Sequence, residues 1–225
     1  MKPDFSAPGI QLYKGDSLEI VPELNGDHDV AVTDPPYVMK MGGGGIADDR
    51  EYVDDIKDRG LHEGFSVASL VAFKSWMVFC AKDSIVSLIQ QAETQSLRWC
   101  LITWNKTNPT PFCEGNYLPD TEYIVHAFSK LPKCDYRAKS RWILGPVEKN
   151  SWDHPTVKPL YVMQRLLQTA SERGHTVLDP YAGTGSTGIA CIRMGRQFIG
   201  IEKEQKYFDM AVNRIEQELR QGVLL

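Results

Sequence analysis

Apolar residues recur along this chain in two alternating rhythms. Short, β-branched runs bounded by turn residues predict strands at residues 10–13, 30–32, 76–80, 98–104, 122–128, 176–178 and 197–201. Between them, amphipathic stretches predict helices at 17–24, 65–74, 82–95, 159–170, 184–194 and 203–219. The clearest helical faces are Leu160, Met163, Leu167 and Ala170 behind Pro159, and Tyr207, Ala211, Ile215 and Leu219 near the end. Strands alternating with helices imply a largely parallel α/β sheet. With no internal repeat and no break in composition, residues 1–225 are expected to form a single domain. Residues 38–64 carry no periodicity: four glycines, Gly42 to Gly45, precede a charged run from Asp48 to Asp55. That insertion reads either as a lid over a neighbouring site or as a segment without fixed structure.

Composition narrows the function classes. No stretch approaches the roughly 20 apolar residues of a membrane span. The opening Met1-Lys2-Pro3-Asp4 has no apolar signal core, so a cytoplasmic location is expected. Five dispersed cysteines without a Cys-x-x-Cys pair read as reduced thiols, and the dispersed histidines predict no metal site. A net charge of -4 argues against a protein that coats nucleic acid indiscriminately. The charge is uneven, however. From Lys130 to Lys149 six basic residues face two acidic ones, a local +4 that leaves -8 on the rest of the chain. Such a segment is compatible with a local phosphate-binding surface.

Two stretches carry the chemistry. After Val30-Ala31-Val32 comes Thr33-Asp34-Pro35-Pro36-Tyr37. Two prolines in series remove two backbone donors and fix φ twice, and Pro35 holds Asp34 extended. The result is a stiff corner with a carboxylate, free carbonyls and an aromatic ring, suited to a flat molecule that donates from an amino group. A proline turn whose Asp caps a local group and whose Tyr packs on the core is the plainer alternative.

The second stretch is Val177-Leu178-Asp179-Pro180-Tyr181-Ala182-Gly183-Thr184-Gly185-Ser186-Thr187-Gly188, a strand, a glycine turn and a helix start. Glu202 lies 19 residues beyond Gly183, placed to accept from ribose hydroxyls. Alone, this pattern also fits a dinucleotide site. Against NAD, Asp179 to Ala182 separates the strand from the first glycine, and an acid there suits a cationic ligand group better than a pyrophosphate. A nucleoside cofactor with a charged amino-acid tail fits better. A phosphate loop is excluded because no lysine follows Gly185.

Taken together and in order, these motifs resemble the amino-group DNA methyltransferases that modify adenine N6 or cytosine N4, in their permuted β-type arrangement. Lys14-Gly15-Asp16, Trp104-Asn105-Lys106, Glu122-Tyr123, His154-Pro155-Thr156-Val157-Lys158-Pro159 and Phe198-Ile199-Gly200-Ile201-Glu202 match further pieces of that family in sequence order. The resemblance covers most of the chain from Ile10 to Ile215. The sequence departs from the family in a segment, 130–153, that is short for target recognition, and in the glycine-rich, acidic insertion after Tyr37.

The resemblance implies a Rossmann-like sheet of seven mostly parallel strands with helices on both faces, permuted in chain order. It implies S-adenosylmethionine as cofactor, with Asp179, Gly183 and Gly185 around its methionine part, Thr156 and Lys158 nearby, and Tyr181 and Thr187 also among the cofactor-binding residues. Glu202 would hold the ribose and Asp16 would receive the adenine amino group. For Lys158 a structural salt bridge stands beside direct contact. Asp34, Pro35, Pro36 and Tyr37 would form the catalytic corner, and Lys133, Arg137, Lys139, Arg141 and Trp142 the DNA contact. Adenine N6 leads over cytosine N4, whose enzymes more often carry Ser at the Asp34 position. RNA or protein methylation and a silent DNA-binding role are the remaining alternatives. Partners would be DNA and, as in many relatives, a second copy of the chain.

Overall fold

β-branched runs short enough to cross a domain once become nine strands among the described residues, all in one sheet. The strands are β1 (Phe5–Ala7), β2 (Ile10–Lys14), β3 (Val30–Thr33), β4 (Ser75–Cys80) and β5 (Arg98–Lys106), followed by β6 (Thr121–Phe128), β7 (Trp142–Gly145), β8 (Thr176–Asp179) and β9 (Gln197–Glu202). This computed structural model describes residues 1–24, 28–36, 67–111, 117–134, 136–148 and 157–222. Across the sheet the order is β1-β2-β9-β8-β3-β4-β6-β5-β7. From β2 through β9, β8 and β3 to β4 every pairing is parallel; β6 runs antiparallel to both β4 and β5. The helices are α1 (Ser17–Glu23), α2 (Ile85–Thr94), α3 (Leu160–Ala170), α4 (Ser186–Met194) and α5 (Gln205–Gly222).

Seven strands were expected, and the sheet has two more, both at its edges. β1 pairs antiparallel with β2, and β7 pairs parallel with β5. Three and four residues long, they are too short for a period-2 pattern to stand out in the sequence. The helix expected at 65–74 is, where described, a 3-10 turn over Val67–Ala72.

Both faces of the sheet are covered. On one, Val30, Val32, Met77, Phe79, Ile124 and Phe198 pack with residues of α3, α4 and α5; on the other, Ala31, Trp76, Val78 and Ile199 pack with Ile20 and Leu88 of α1 and α2. β3 is therefore buried at all four positions, as a central parallel strand should be. Its registers, Val30↔Val177 and Ala31↔Leu178, run it alongside β8, so both strands end at the same edge of the sheet. Chain order reverses between these two neighbours, which is where open α/β sheets form their ligand crevice.

Close helix–sheet approach at α4 depends on Gly188. A Cβ there would stand 2.8 Å from two ring atoms of Phe198 and 3.0 Å from Ile215 Cδ1. Phe198 is 1% exposed and has no room to retreat. Overpacking of this kind costs about 1–3 kcal/mol, against a helix-propensity gain of about 1 kcal/mol for alanine. Gly188→Ala is therefore expected to lower the urea midpoint, with a net loss of up to about 2 kcal/mol. An unchanged midpoint would show that α4 can shift outward freely.

Candidate active site

The two motif corners meet through one hydrogen bond. Thr33, the last residue of β3, donates from Oγ1 to Asp179 Oδ1 at 2.8 Å, across the β3–β8 pair. Thr187 Oγ1 donates to Asp179 Oδ2 at 2.5 Å and the Tyr181 N–H to Oδ1 at 3.1 Å. Asp179 is thus 3% exposed and held by neutral donors. Burial pushes its carboxyl up to about 6 although those three hydrogen bonds oppose the rise, and the charge of Asp34 adds to it.

Beyond Asp179 the chain turns through Gly183 and Gly185, at φ +52° and +81°. Left-handed backbone favours glycine at both. A Cβ on Gly183 would meet nothing closer than the Tyr181 carbonyl at 4.0 Å, so the space over the turn is open; on Gly185 it would press on Ala211 at 3.2 Å. The turn is fastened from two sides. Glu202, ending β9, accepts from the Gly183 N–H at 2.8 Å and the Glu204 N–H at 2.7 Å. Arg214, buried on α5, donates to the Thr184 carbonyl and Oγ1, both at 2.6 Å. Burial raises the Glu202 carboxyl, the two backbone donors opposing.

One strand further on, Asp16 follows β2 and caps α1, accepting from Leu18 N–H at 2.9 Å and pairing with Lys203 at 3.1 Å. The Leu18 hydrogen bond, with help from Lys203, holds its carboxyl below the usual range. Burial raises the Tyr181 phenol, and the nearby Asp16 charge adds to the rise. Asp16, Asp179 and Glu202 therefore stand at the carboxyl ends of three adjacent strands around an open glycine turn. That set suits a ligand offering hydroxyl and amino donors and a positive charge.

On the other side of β8, Pro35 is buried, and Asp34 and Pro36 are half-buried. Asp34 Oδ2 lies 2.5 Å from Lys158 Nζ, which also reaches Glu122 Oε2 at 3.3 Å and lies 5.0 Å over the Phe79 ring. Lys106 completes the group, 2.9 Å from Glu122 Oε1. Lys158 thus forms a salt bridge to the proline corner.

The basic residues do not form one surface. Lys133 lies at the opposite end of the sheet, its N–H bonded to Glu172, because antiparallel β6 returns the chain there. Arg137 and Lys139 are exposed beside α3, where Arg165 binds the carbonyls of Arg137, Ala138 and Ser140. Arg141 and the 58%-exposed Trp142 open β7, four strands from β3, or roughly 19 Å at about 4.8 Å per strand. Of the five, Lys133 is removed from the neighbourhood of the corner. Tyr37, Thr156 and the 38–64 insertion lie outside the described residues. Among the described residues no His, Cys, Asp and Glu group could hold a metal ion, and no helix is long and apolar enough to cross a membrane.

Four further residues build the site. Thr33 heads the proline stretch, Glu122 and Lys106 belong to the family-like pieces Glu122-Tyr123 and Trp104-Asn105-Lys106, and Arg214 lies in no motif. The signal Arg214 leaves is a cation on the buried face shared with Ala211 and Ile215.

The profile of the N6/N4 DNA methylase family matches residues 28–213, spanning both corners. The chain belongs to that family. Its relatives include the type II methyltransferase M2.DpnII of Streptococcus pneumoniae, 28% identical over 96% of this chain and 93% of the relative. Another is M2.LlaDCHI of Lactococcus lactis subsp. cremoris, 27% identical over 99% and 95%. Among solved structures, the M1.HpyAVI–SAM complex superposes with a TM-score of 0.69 at 25% identity, covering 92% of this chain and 99% of that one. The cytosine-N4-specific PvuII methyltransferase shares the fold at TM-score 0.69 and 15% identity, over 98% and 94%.

For this DNA methylase, the buried acid makes a stability prediction. Asp179 ionises near 3.8 in a free chain but near 6 when folded, so the folded state retains its proton longer. Folding therefore loses stability through this group as pH climbs from about 4 past 6, by up to about 3 kcal/mol. Asp179→Asn keeps the shape and removes that loss. Urea melts at pH 5 and pH 8 should show a smaller fall for the variant than for the parent; equal falls would place the titration elsewhere.

Proposed function

We propose that this chain transfers the methyl group of S-adenosylmethionine to the exocyclic amino group of a DNA base, adenine N6 in preference to cytosine N4. The observation that carries the reading is the shared edge: the acceptor corner at Asp34 and the open glycine turn at Gly183 end adjacent strands tied by Thr33 and Asp179. The residues present fit the cofactor. Open space over Gly183 admits a close approach, Glu202 and Asp16 offer carboxylate acceptors for hydroxyl and amino groups, and Asp179 supplies negative charge. When bound, the cofactor supplies a methyl group on a positively charged sulfur.

The chain's own part concerns the base. An exocyclic amino nitrogen delocalises its lone pair into the ring and is a poor nucleophile. Asp34 and the Pro35 carbonyl accept its two N–H groups and draw it toward a tetrahedral geometry, which frees the lone pair. As positive charge grows on nitrogen, the same acceptors stabilise it, and the surplus proton passes to the Asp34 carboxylate. Fixing the base by the stiff Pro35-Pro36 turn converts an encounter into a positioned reaction. The amino group is unreachable in a stacked duplex, so the base must leave the helix to enter. No thiol nucleophile is required: burial pushes the Cys80 thiol up to about 12 and raises that of Cys191 as well.

Adenine is preferred because position 34 carries Asp, where cytosine-N4 enzymes of the family more often carry Ser. The likeness to type II methyltransferases supports a restriction–modification setting. Incubation with methyl-labelled cofactor and unmethylated DNA, followed by nucleoside analysis, should put the label in 6-methyladenine. Label in N4-methylcytosine would reverse the preference, and label in protein or nowhere would overturn the reading. Asp34→Ala should cut the single-turnover rate about 10²–10³-fold while cofactor affinity stays within twofold of the parent. A parallel loss of cofactor affinity would instead assign Asp34 to the cofactor.

A further inference from the structure

The Lys158 ammonium has two carboxylates beside it and little exposure to water. It is 9% exposed, held at 2.5 Å by Asp34 Oδ2 and at 3.3 Å by Glu122 Oε2, with the Phe79 ring 5.0 Å away. Both partners reach the surface, Asp34 at 24% and Glu122 at 22% exposed. Glu122 reaches Lys158 from β6, and its second oxygen is tied to Lys106 of β5 at 2.9 Å. Asp34 is also within electrostatic reach of Asp179, at the end of β8.

A target amino group that donates to Asp34 competes with Lys158 for that carboxylate. A buried ammonium released from one partner must keep another, because an uncompensated buried charge is heavily penalised. We propose that Glu122 is a positioning residue for methyl transfer: it takes over the Lys158 ammonium when the base amino group engages Asp34. This rests on Asp34 being the acceptor of the amino group. Lys106 keeps Glu122 in place for the hand-over, so the corner exchanges one ion pair for another without leaving a bare charge. The protonation states are in keeping with this. Burial alone would pull the Lys158 ammonium down, yet Asp34 and Glu122 outweigh it and raise it. Burial likewise favours a neutral Glu122, and Lys158 and Lys106 outweigh it and keep the carboxyl low.

The experiment compares the full-length parent, Glu122→Gln and Glu122→Asp in single-turnover methylation of unmethylated DNA, with cofactor affinity measured by calorimetry. Glu122→Gln leaves Lys158 dependent on Asp34 alone, and the rate is expected to fall at least tenfold with cofactor affinity within twofold of the parent. Glu122→Asp keeps the charge and should recover the rate to within about threefold of the parent. A Glu122→Gln rate equal to the parent's overturns the inference. So does a loss of cofactor affinity in step with the rate, which marks a structural role, or a Glu122→Asp rate no better than that of Glu122→Gln. If the parent itself leaves DNA unlabelled, the reading of Asp34 falls and this inference with it; a labelling parent beside an undisturbed variant sinks the inference alone.

Discussion

Everything at this site depends on two parallel strands ending side by side. β3 carries the acidic corner and β8 the glycine turn, and their pairing leaves both ends at one edge. The Thr33–Asp179 hydrogen bond ties that edge from within and links the two corners directly. A parallel pair needs a long crossover and cover on both faces, and the chain supplies both. Three helices pack on one side and two on the other, which buries β3 completely and makes its end a rigid platform. Rigid placement matters here because positioning supplies much of the acceleration in a transfer of this kind.

The same edge divides into two electrostatic halves. On the side of the proline corner each carboxylate is met by a lysine: Asp34 by Lys158, and Glu122 by Lys158 and Lys106. At the glycine turn, Asp179 and Glu202 are met by hydroxyls and backbone N–H groups instead, and burial raises both. Ion pairs keep charge in place, whereas neutral donors leave a buried carboxylate short of a counter-charge. The turn is therefore a place where an arriving cation gains the most.

How much of this could be read in advance varies with the kind of signal. β3 and β8, only four residues each, announced themselves by apolar runs leading into the corners, and both corners by residues with fixed backbone demands, Pro35-Pro36 and Gly183-Gly185. The edge strands β1 and β7 stayed hidden because neither short segment leads into such a signal; β1 is recruited by β2 just after it, and β7 by β5, distant in sequence. Lys158 was legible as part of the site but not its partner, since Asp34 lies 124 residues away and only the sheet order brings them together. The basic segment behaves differently. Its cations look like one patch on paper, but among the described residues antiparallel β6 and Arg165 spread Lys133, Arg137, Lys139 and Arg141 from the far end of the sheet to its outer edge.

Buried charge is an expensive way to hold a structure together, and apolar residues of similar volume would often serve stability as well. Asp34, Glu122, Lys106 and Lys158 are nevertheless gathered into one cluster on the Phe79 side of the sheet. A purely structural account leaves unexplained why both carboxylates, Asp34 and Glu122, stand partly open while the Lys158 ammonium between them is nearly closed off. An account based on exchange does explain it. Asp34 can trade its inner partner for an outer one, and the closed ammonium needs Glu122 to make that trade bearable. The cost of burying the cluster is then the cost of an acceptor that stays in place before its substrate arrives.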